Sequence, residues 1–442
     1  MKIQKTETCF KKQFFWKKYE TQDFISLDIQ LENKLIILYP DIKYQTILGF
    51  GGAFTEASGY AISRLPKKQY DNAIKEYFSP EGLNYSFCRT PINSCDFSLD
   101  SYAYLQKPDL STFSIERDKK YLIPMILAAQ NRQSKLQLLA SPWSPPFFMK
   151  TNQKMIEGGK LLDEFKQLWA NYLVRYVREY ESLGISIQYM TIQNEPKAVQ
   201  TWESCLYNPQ EEADLVRNYL YPTFQNAHKQ VQFLIWDHNK ERVFYRSKSI
   251  LDDFETRKIV SGIAFHWYSG DHFENLKLVK QNYPEKLLIA TEGCTGYSQF
   301  RTEDEIMNAE IYAHDYLGNL NSGVNGQIDW NLFLDNQGGP NHKQNYCNSP
   351  IMMNKDNSNY IKNLSYYYIG HFSKFIKPGA KCIAHSKYTN KIEVTSFQNP
   401  DNCIIIVVLN RTDEMQDYYI AIEEQICHDE IKPHSIITYE IK

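Results

Sequence analysis

"LWANYLVRYVREYESLGISIQYMTIQNEP", residues 168–196, holds two periodicities joined at one glycine. From just before this stretch, Phe165, Leu168, Trp169, Tyr172, Leu173, Tyr176, Val177 and Tyr180 recur at helical spacing, the stripe of a helix laid on a core. Gly184 stops the helix. Residues 187–196 then run apolar over a length that suits a strand, and end on Asn194, Glu195 and Pro196, which a buried strand has little use for. A helix feeding a continuous apolar strand is the repeating unit of a parallel sheet covered on both faces.

Seven further runs of the same kind occur: "TILGFGGAF" (46–54), "NYSFCRTPIN" (84–93), "LQLLASPW" (136–143), "VQFLIWDHN" (231–239), "SGIAFHWYS" (261–269), "KLLIATEGC" (286–294) and "GQIDWNLFL" (326–334). Helical patterns fall between them at about 66–78, 117–133, 164–183, 210–229, 302–320 and 361–373. Eight such units predict a (β/α)₈ TIM barrel over residues 46–373. The rival, a doubly wound open sheet, would carry a phosphate loop after its first strand. "GFGGAF" lacks the G-x-G-x-x-G spacing, so its glycines are read as places of close backbone approach.

Beyond residue 373 the pattern becomes all-β: "KIEVTSF", "CIIIVVL", "DYYIAI" and "SIITYEI" are separated by turn-rich segments such as "QNPDN". "FISLDIQL" and "KLIILYP" precede the barrel. So few strands at either end could barely bury a core alone, so residues 1–45 and 374–442 are expected to meet in one β-sandwich.

Composition narrows the function. With 49 Lys+Arg against 52 Asp+Glu, the chain lacks the cationic excess of a general nucleic-acid binder. The longest apolar run, "CIIIVVL", is too short for a membrane helix, and the first twenty residues have no signal-peptide core, so no membrane insertion is expected. Nine scattered cysteines, none in a C-x-x-C pair, read as reduced thiols, and the expectation is a cytoplasmic protein.

In a barrel, reactive groups gather at the C-terminal strand ends. In order these carry Glu56; Asn93 and Asp96; Ser141, Trp143 and Ser144; Asn194 and Glu195; Asp237 and His238; His266, Trp267 and Tyr268; Glu292; Asp329 and Trp330. Strands four and seven both end on glutamate. Two carboxyls facing one mouth are the machinery of glycoside hydrolysis, one protonating the leaving oxygen and the other acting at the anomeric carbon. Tryptophan and tyrosine offer faces for the C–H side of a sugar. No metal and no cofactor is expected, since His238 and His266 stand at no ligand spacing and no H-E-x-x-H occurs. For Trp143, Trp267, Trp330 and His266 the plainer alternative is core packing.

"GFGGAFTEA", "CDFS", "LLASPWSPPFFMKTN", "IQNEP", "FHWY", "LLIATEGC", "DWNLFLDNQGGPN" and "GHFSKFI" together resemble glycoside hydrolase family 30, the glucosylceramidase-like enzymes, in order from about residue 46 to 410. The resemblance implies the same barrel and sandwich, with Glu195 as general acid/base and Glu292 as nucleophile of a retaining reaction. It further implies that Asn194 holds the sugar 2-hydroxyl, that Asp96, Trp143, Trp330 and Asn345 bind the other hydroxyls, and that His266 and Tyr268 orient the nucleophile. Trp202, in the stretch after the acid, is expected to line the aglycone side. With Glu292 ionised nearby, the Glu195 carboxyl is expected to titrate above its usual range. The implied substrate is a small glycoside or oligosaccharide with a terminal β-linked sugar, glucose first. The alternatives are a β-xylosidase, a β-1,6-glucanase, or a non-catalytic carbohydrate-binding protein, the last opposed by the presence of both glutamates and Asn194.

Overall fold

The computed structural model describes residues 1–26, 33–296 and 304–442. Eight parallel strands close into a barrel. They are β1 (Gly49–Ala53), β2 (Phe87–Ile92), β3 (Gln137–Pro142), β4 (Tyr189–Thr191), β5 (Gln232–Asn239), β6 (Gly262–His266), β7 (Leu287–Glu292) and β8 (Gly326–Asn331). The eight segments expected from the sequence each contain one of them.

The barrel interior is layered by the two-residue alternation of its strands. Phe87, Leu139, Tyr189, Leu234, Ala264, Ile289 and Ile328, one from each of β2 to β8, pack together as an apolar plug. Strand β1 contributes no bulk to it, and Gly51 explains why: a Cβ there would stand 1.8 Å from the Phe87 carbonyl oxygen. Two residues further along, the inward positions become Arg89, Ser141, Thr191, His266, Thr291 and Trp330. The floor of the mouth is therefore polar where the plug is apolar.

Helices match the expected slots at Lys67–Phe78, Leu122–Gln130, Lys166–Ser182, Glu305–Leu320 and Leu364–Ser373. The expected 210–229 helix is three pieces, Pro209–Asp214, a widened π turn at Leu215–Leu220 and Tyr221–Asn226. Pro222 accounts for the break, since it has no N–H to give the preceding turn. The last expected helix starts at Leu364 rather than 361, because Tyr360–Lys362 pairs as a strand with Ile351–Met353. Helices Glu56–Ser63, Val243–Leu251, Phe254–Ile259 and Phe273–Asn282 complete the ring, the third of them too short to show a stripe.

Both chain ends share one sheet, eleven-stranded among the described residues. Lys2–Cys9 pairs antiparallel with Ser435–Ile441, and Leu35–Thr46 pairs with both Lys381–Lys387 and Gln416–Ile422. The two halves of this β-sandwich enclose a core that includes Ile36, Leu38, Ile406, Val408, Ile420 and Ile437. Of "FISLDIQL", residues 27–31 lie outside the described residues. The sandwich meets the barrel at Leu364–Ser373, where wholly buried His371 sits between the Thr8 and Thr438 hydroxyls at 2.9 and 2.8 Å. Among the described residues no helix is long and apolar enough to cross a membrane.

Candidate active site

The barrel mouth opens on a cavity of about 210 Å³. Asp96, Trp143, Asn194, Glu195, Trp202, Tyr268, Glu292, Trp330 and Asn345 all line it. Of the residues that the family resemblance assigned to the site, His266 alone is off the wall, standing behind Glu195. Trp143 and Trp330 stack with ring centroids 5.3 Å apart, and Asn345 donates to Asp96 Oδ2 at 3.1 Å. Trp267 instead packs on Tyr312 in the outer core, centroids 4.8 Å apart, and Glu56 pairs with Arg117. Both are structural.

Backbone irregularities aim the charged side chains. Where β5 pairs with β6, Trp236 and His238 oppose consecutive residues, so Asp237 is an extra residue. Trp236 and Asp237 have φ of 76° and 51°, and the bulge turns Asp237 rather than Trp236 into the barrel. Glu195 likewise has φ 48°, and its N–H is fixed to the Asp237 carbonyl at 2.9 Å. Left-handed conformations at non-glycine residues cost energy and collect at functional sites.

Arg89, wholly buried on β2, joins these groups. Its Nη1 donates to Glu292 Oε2 at 2.7 Å, its Nη2 to Asn194 Oδ1 at 2.8 Å and Asp237 Oδ2 at 2.7 Å, and its Nε to Ser141 Oγ at 3.0 Å. The guanidinium also lies 4.6 Å from the Trp143 ring centre. Asp237 Oδ1 meets His266 Nε2 at 3.1 Å, and His266 Nδ1 meets Glu195 Oε1 at 3.2 Å. Thr191 and Thr291 donate to the remaining Asp237 lone pairs. The two glutamates are thus the ends of one chain of contacts, Glu292–Arg89–Asp237–His266–Glu195.

With this geometry belongs a match to known families. The family model for the glycosyl hydrolase family 30 TIM-barrel domain matches residues 47–376, and that for the family 30 β-sandwich domain matches residues 379–439.

The chain belongs to glycosyl hydrolase family 30.

It is a glycoside hydrolase of that family, and its substrate is a carbohydrate. The chain is 33% identical to the lysosomal acid glucosylceramidase of Mus musculus over 427 residues, 92% of this chain and 83% of that protein. The crystal structure of SrfJ from Salmonella typhimurium superposes with a TM-score of 0.97 at 36% identity, covering 100% of both chains. The endo-β1,6-glucanase BT3312 superposes with a TM-score of 0.90 at 26% identity, over 100% of this chain and 99% of that one.

The electrostatics of this family 30 site correct the sequence reading twice. First, Tyr268 donates to Glu292 Oε1 at 3.0 Å as expected of an orienting neighbour, but His266 contacts Glu195 and Asp237, not Glu292. Second, the raised carboxyl is not Glu195. Burial pushes Glu195 up, but the His238 and His266 rings outweigh it and hold the carboxyl well below its usual range. For His266 burial opposes charge, yet the carboxylates of Glu292, Asp237 and Glu195 raise the ring to about 9. Glu292 is raised by burial, which His266 and Arg89 only partly offset and Glu195 reinforces. Asp96 is raised strongly by burial and by the nearby Glu292 charge. Sequence alone pointed to the Glu195–Glu292 pair and missed the cation that intervenes.

Glu195, His238 and His266 bring ligand atoms within 4.8 Å of one another, so the spacing argument made against a metal from the sequence does not carry into space. His266 spends both ring nitrogens on carboxylates, and a ring held protonated offers no lone pair to an ion.

Proposed function

We propose that the chain is an exo-acting retaining β-glucosidase. The observation that carries this is two glutamates at one small cavity, at the ends of β4 and β7, each held by its own part of a single hydrogen-bond network. About 210 Å³ is less than the roughly 300–1,000 Å³ of drug-sized pockets. It suits one terminal sugar ring better than a length of polymer.

In this reading Glu292, fixed by Arg89 and Tyr268, attacks the anomeric carbon and forms a covalent glycosyl-enzyme. Glu195 protonates the departing oxygen and then takes a proton from the incoming water. Before transfer, the proton that Glu195 delivers rests on His266 Nδ1, 3.2 Å away, so the two side chains together act as the acid. Asn194 grips the 2-hydroxyl from a position that Arg89 also fixes. Asp96, held by Asn345, hydrogen-bonds a sugar hydroxyl. Trp202 lines the aglycone side.

The mouse relative's name favours a β-glucoside with a lipid aglycone, such as glucosylceramide. The glucanase likeness favours β-1,6-glucan as the second reading. A panel of p-nitrophenyl β-glycosides, gentio-oligosaccharides and glucosylceramide, with the product anomer followed by NMR, tests these. Glucoside cleavage with a β-product is expected. Preference for internal bonds of gentio-oligosaccharides selects the glucanase, a dominant xyloside rate overturns the sugar, and an α-product overturns retention.

A further inference from the structure

All nine cysteines are free and buried, but two of them are unlike the rest. Cys294 lies two residues beyond Glu292, Cys347 lies two residues beyond Asn345, and both reach the wall of the cavity. Their segments are tied at the next residue of each, where the Asn348 N–H donates to the Thr295 carbonyl at 2.8 Å. That bond sets the two cysteine segments side by side, and both side chains belong to one buried cluster. They are 3% and 4% exposed and pack with Trp143, Trp330 and Leu334. The Cys294 sulfur is also 3.3 Å from the Tyr268 hydroxyl, which donates to Glu292. Hydrolysis as derived above uses neither thiol, and an aliphatic side chain would fill the same space.

We propose that Cys294 and Cys347 are an oxidation site at which hydrogen peroxide, small enough to enter the cavity, closes a disulfide that switches the hydrolase off. One thiol gives up its proton and its sulfur attacks the peroxide O–O bond. This forms a sulfenic acid, and the departing hydroxide takes the proton as water. The second sulfur then displaces hydroxide from the sulfenic acid, and that hydroxide leaves as water with the second thiol's proton. The two thiols lose two electrons, one peroxide is reduced, and two waters form. The S–S bond is about 2.05 Å long, well inside any thiol–thiol contact, so the segments must shift. One shift draws Cys294 off Tyr268, the partner of Glu292. The other moves the loop whose Asn345 holds Asp96.

The effect on turnover rests on the proposed glycosidase function, whereas formation of the bond does not. The test exposes reduced full-length protein to hydrogen peroxide, quenches with catalase, and then reads peptide masses and aryl β-glucoside hydrolysis together. A Cys294–Cys347 linked peptide is expected, with activity lower by about 100-fold, the scale of a 1 Å misplacement near the reacting atoms, and restored by dithiothreitol. Cys347→Val is expected to keep its activity through the same treatment, and Cys294→Ala gives a second unlinkable protein. The proposal is overturned if no linked peptide forms, if it forms with activity unchanged, or if Cys347→Val is inactivated as fast as the parent protein. Should the reduced protein cleave no β-glucoside, the functional reading fails by itself, and the peptide map still decides whether the bond forms.

Discussion

Arg89 and Asp237 form a wholly buried ion pair at 2.7 Å, and each leads on to a different glutamate. Arg89 touches Glu292 directly, while Asp237 reaches Glu195 through His266. Taking two charges out of water is costly, and such a pair persists only where every remaining donor and acceptor is satisfied. Here Ser141, Asn194, Thr191 and Thr291 do that.

Arg89→Met should therefore damage stability and activity together. Removing one partner of a buried pair costs about 3–5 kcal/mol, which urea unfolding will register as a lower midpoint. Arg89→Lys restores the charge but not the fork that spans Glu292, Asn194, Asp237 and Ser141. Its kcat/KM is expected to stay down by about 100-fold. Near-parental kinetics in Arg89→Lys would show that the charge alone matters.

Glu292→Gln is expected to abolish turnover and leave the folded protein intact, as judged by circular dichroism and thermal melting. Glu195→Gln should discriminate between leaving groups. Hydrolysis of an alkyl β-glucoside should collapse, while formation of the glycosyl-enzyme from an activated aryl β-glucoside, which needs no proton, proceeds and can be read as a burst. Equal losses on both substrates argue against Glu195 as the acid.

The pH profile follows from the proton shared by His266 and Glu195. With the ring raised to about 9, kcat/KM should hold through neutral pH and fall on the alkaline side as the pair loses its proton. On the acid side it should fall where Glu292, raised above its usual range, becomes protonated. His266→Asn leaves the proton to Glu195 alone and should move the alkaline limb to lower pH. An unmoved limb in that variant removes His266 from the acid.

Stability should also carry a histidine signature, from the barrel–sandwich junction. Burial depresses the His371 ring from 6.5 to about 3, so between these values the unfolded chain binds a proton that the folded protein does not. This contribution is complete above pH 6.5 and shrinks as the pH falls, by about 1.4 kcal/mol per unit. Urea unfolding at pH 7, 6 and 5 measures the slope. His371→Gln, which cannot titrate, should flatten it.

The strand ends were legible because a continuous apolar run has no use for a closing carboxylate, so Glu195 and Glu292 announce themselves. The amphipathic helix Lys166–Ser182 was legible for the complementary reason, its buried face recurring over four turns. Arg89 was less legible because it lies inside β2 and not at a strand end. Its signal was present all the same: a guanidinium in the middle of "FCRTPI" must be paired, since an unpaired charge is almost never fully buried. The inverted titration order of Glu195 and Glu292 was out of reach. It depends on which carboxylate His266 faces, and that is set by the extra residue Asp237, which no periodicity reveals.

The pairing of Lys2–Cys9 with Ser435–Ile441 sets a timetable for the newborn chain. At roughly 5–20 residues per second, the first strand leaves the ribosome on the order of 20–90 s before the strand it must pair with. All eight barrel strands are out well before that. The barrel can close during synthesis, and until Ser435–Ile441 emerges the strand Lys2–Cys9 keeps an open edge that a chaperone, or a neighbouring nascent chain, can reach first.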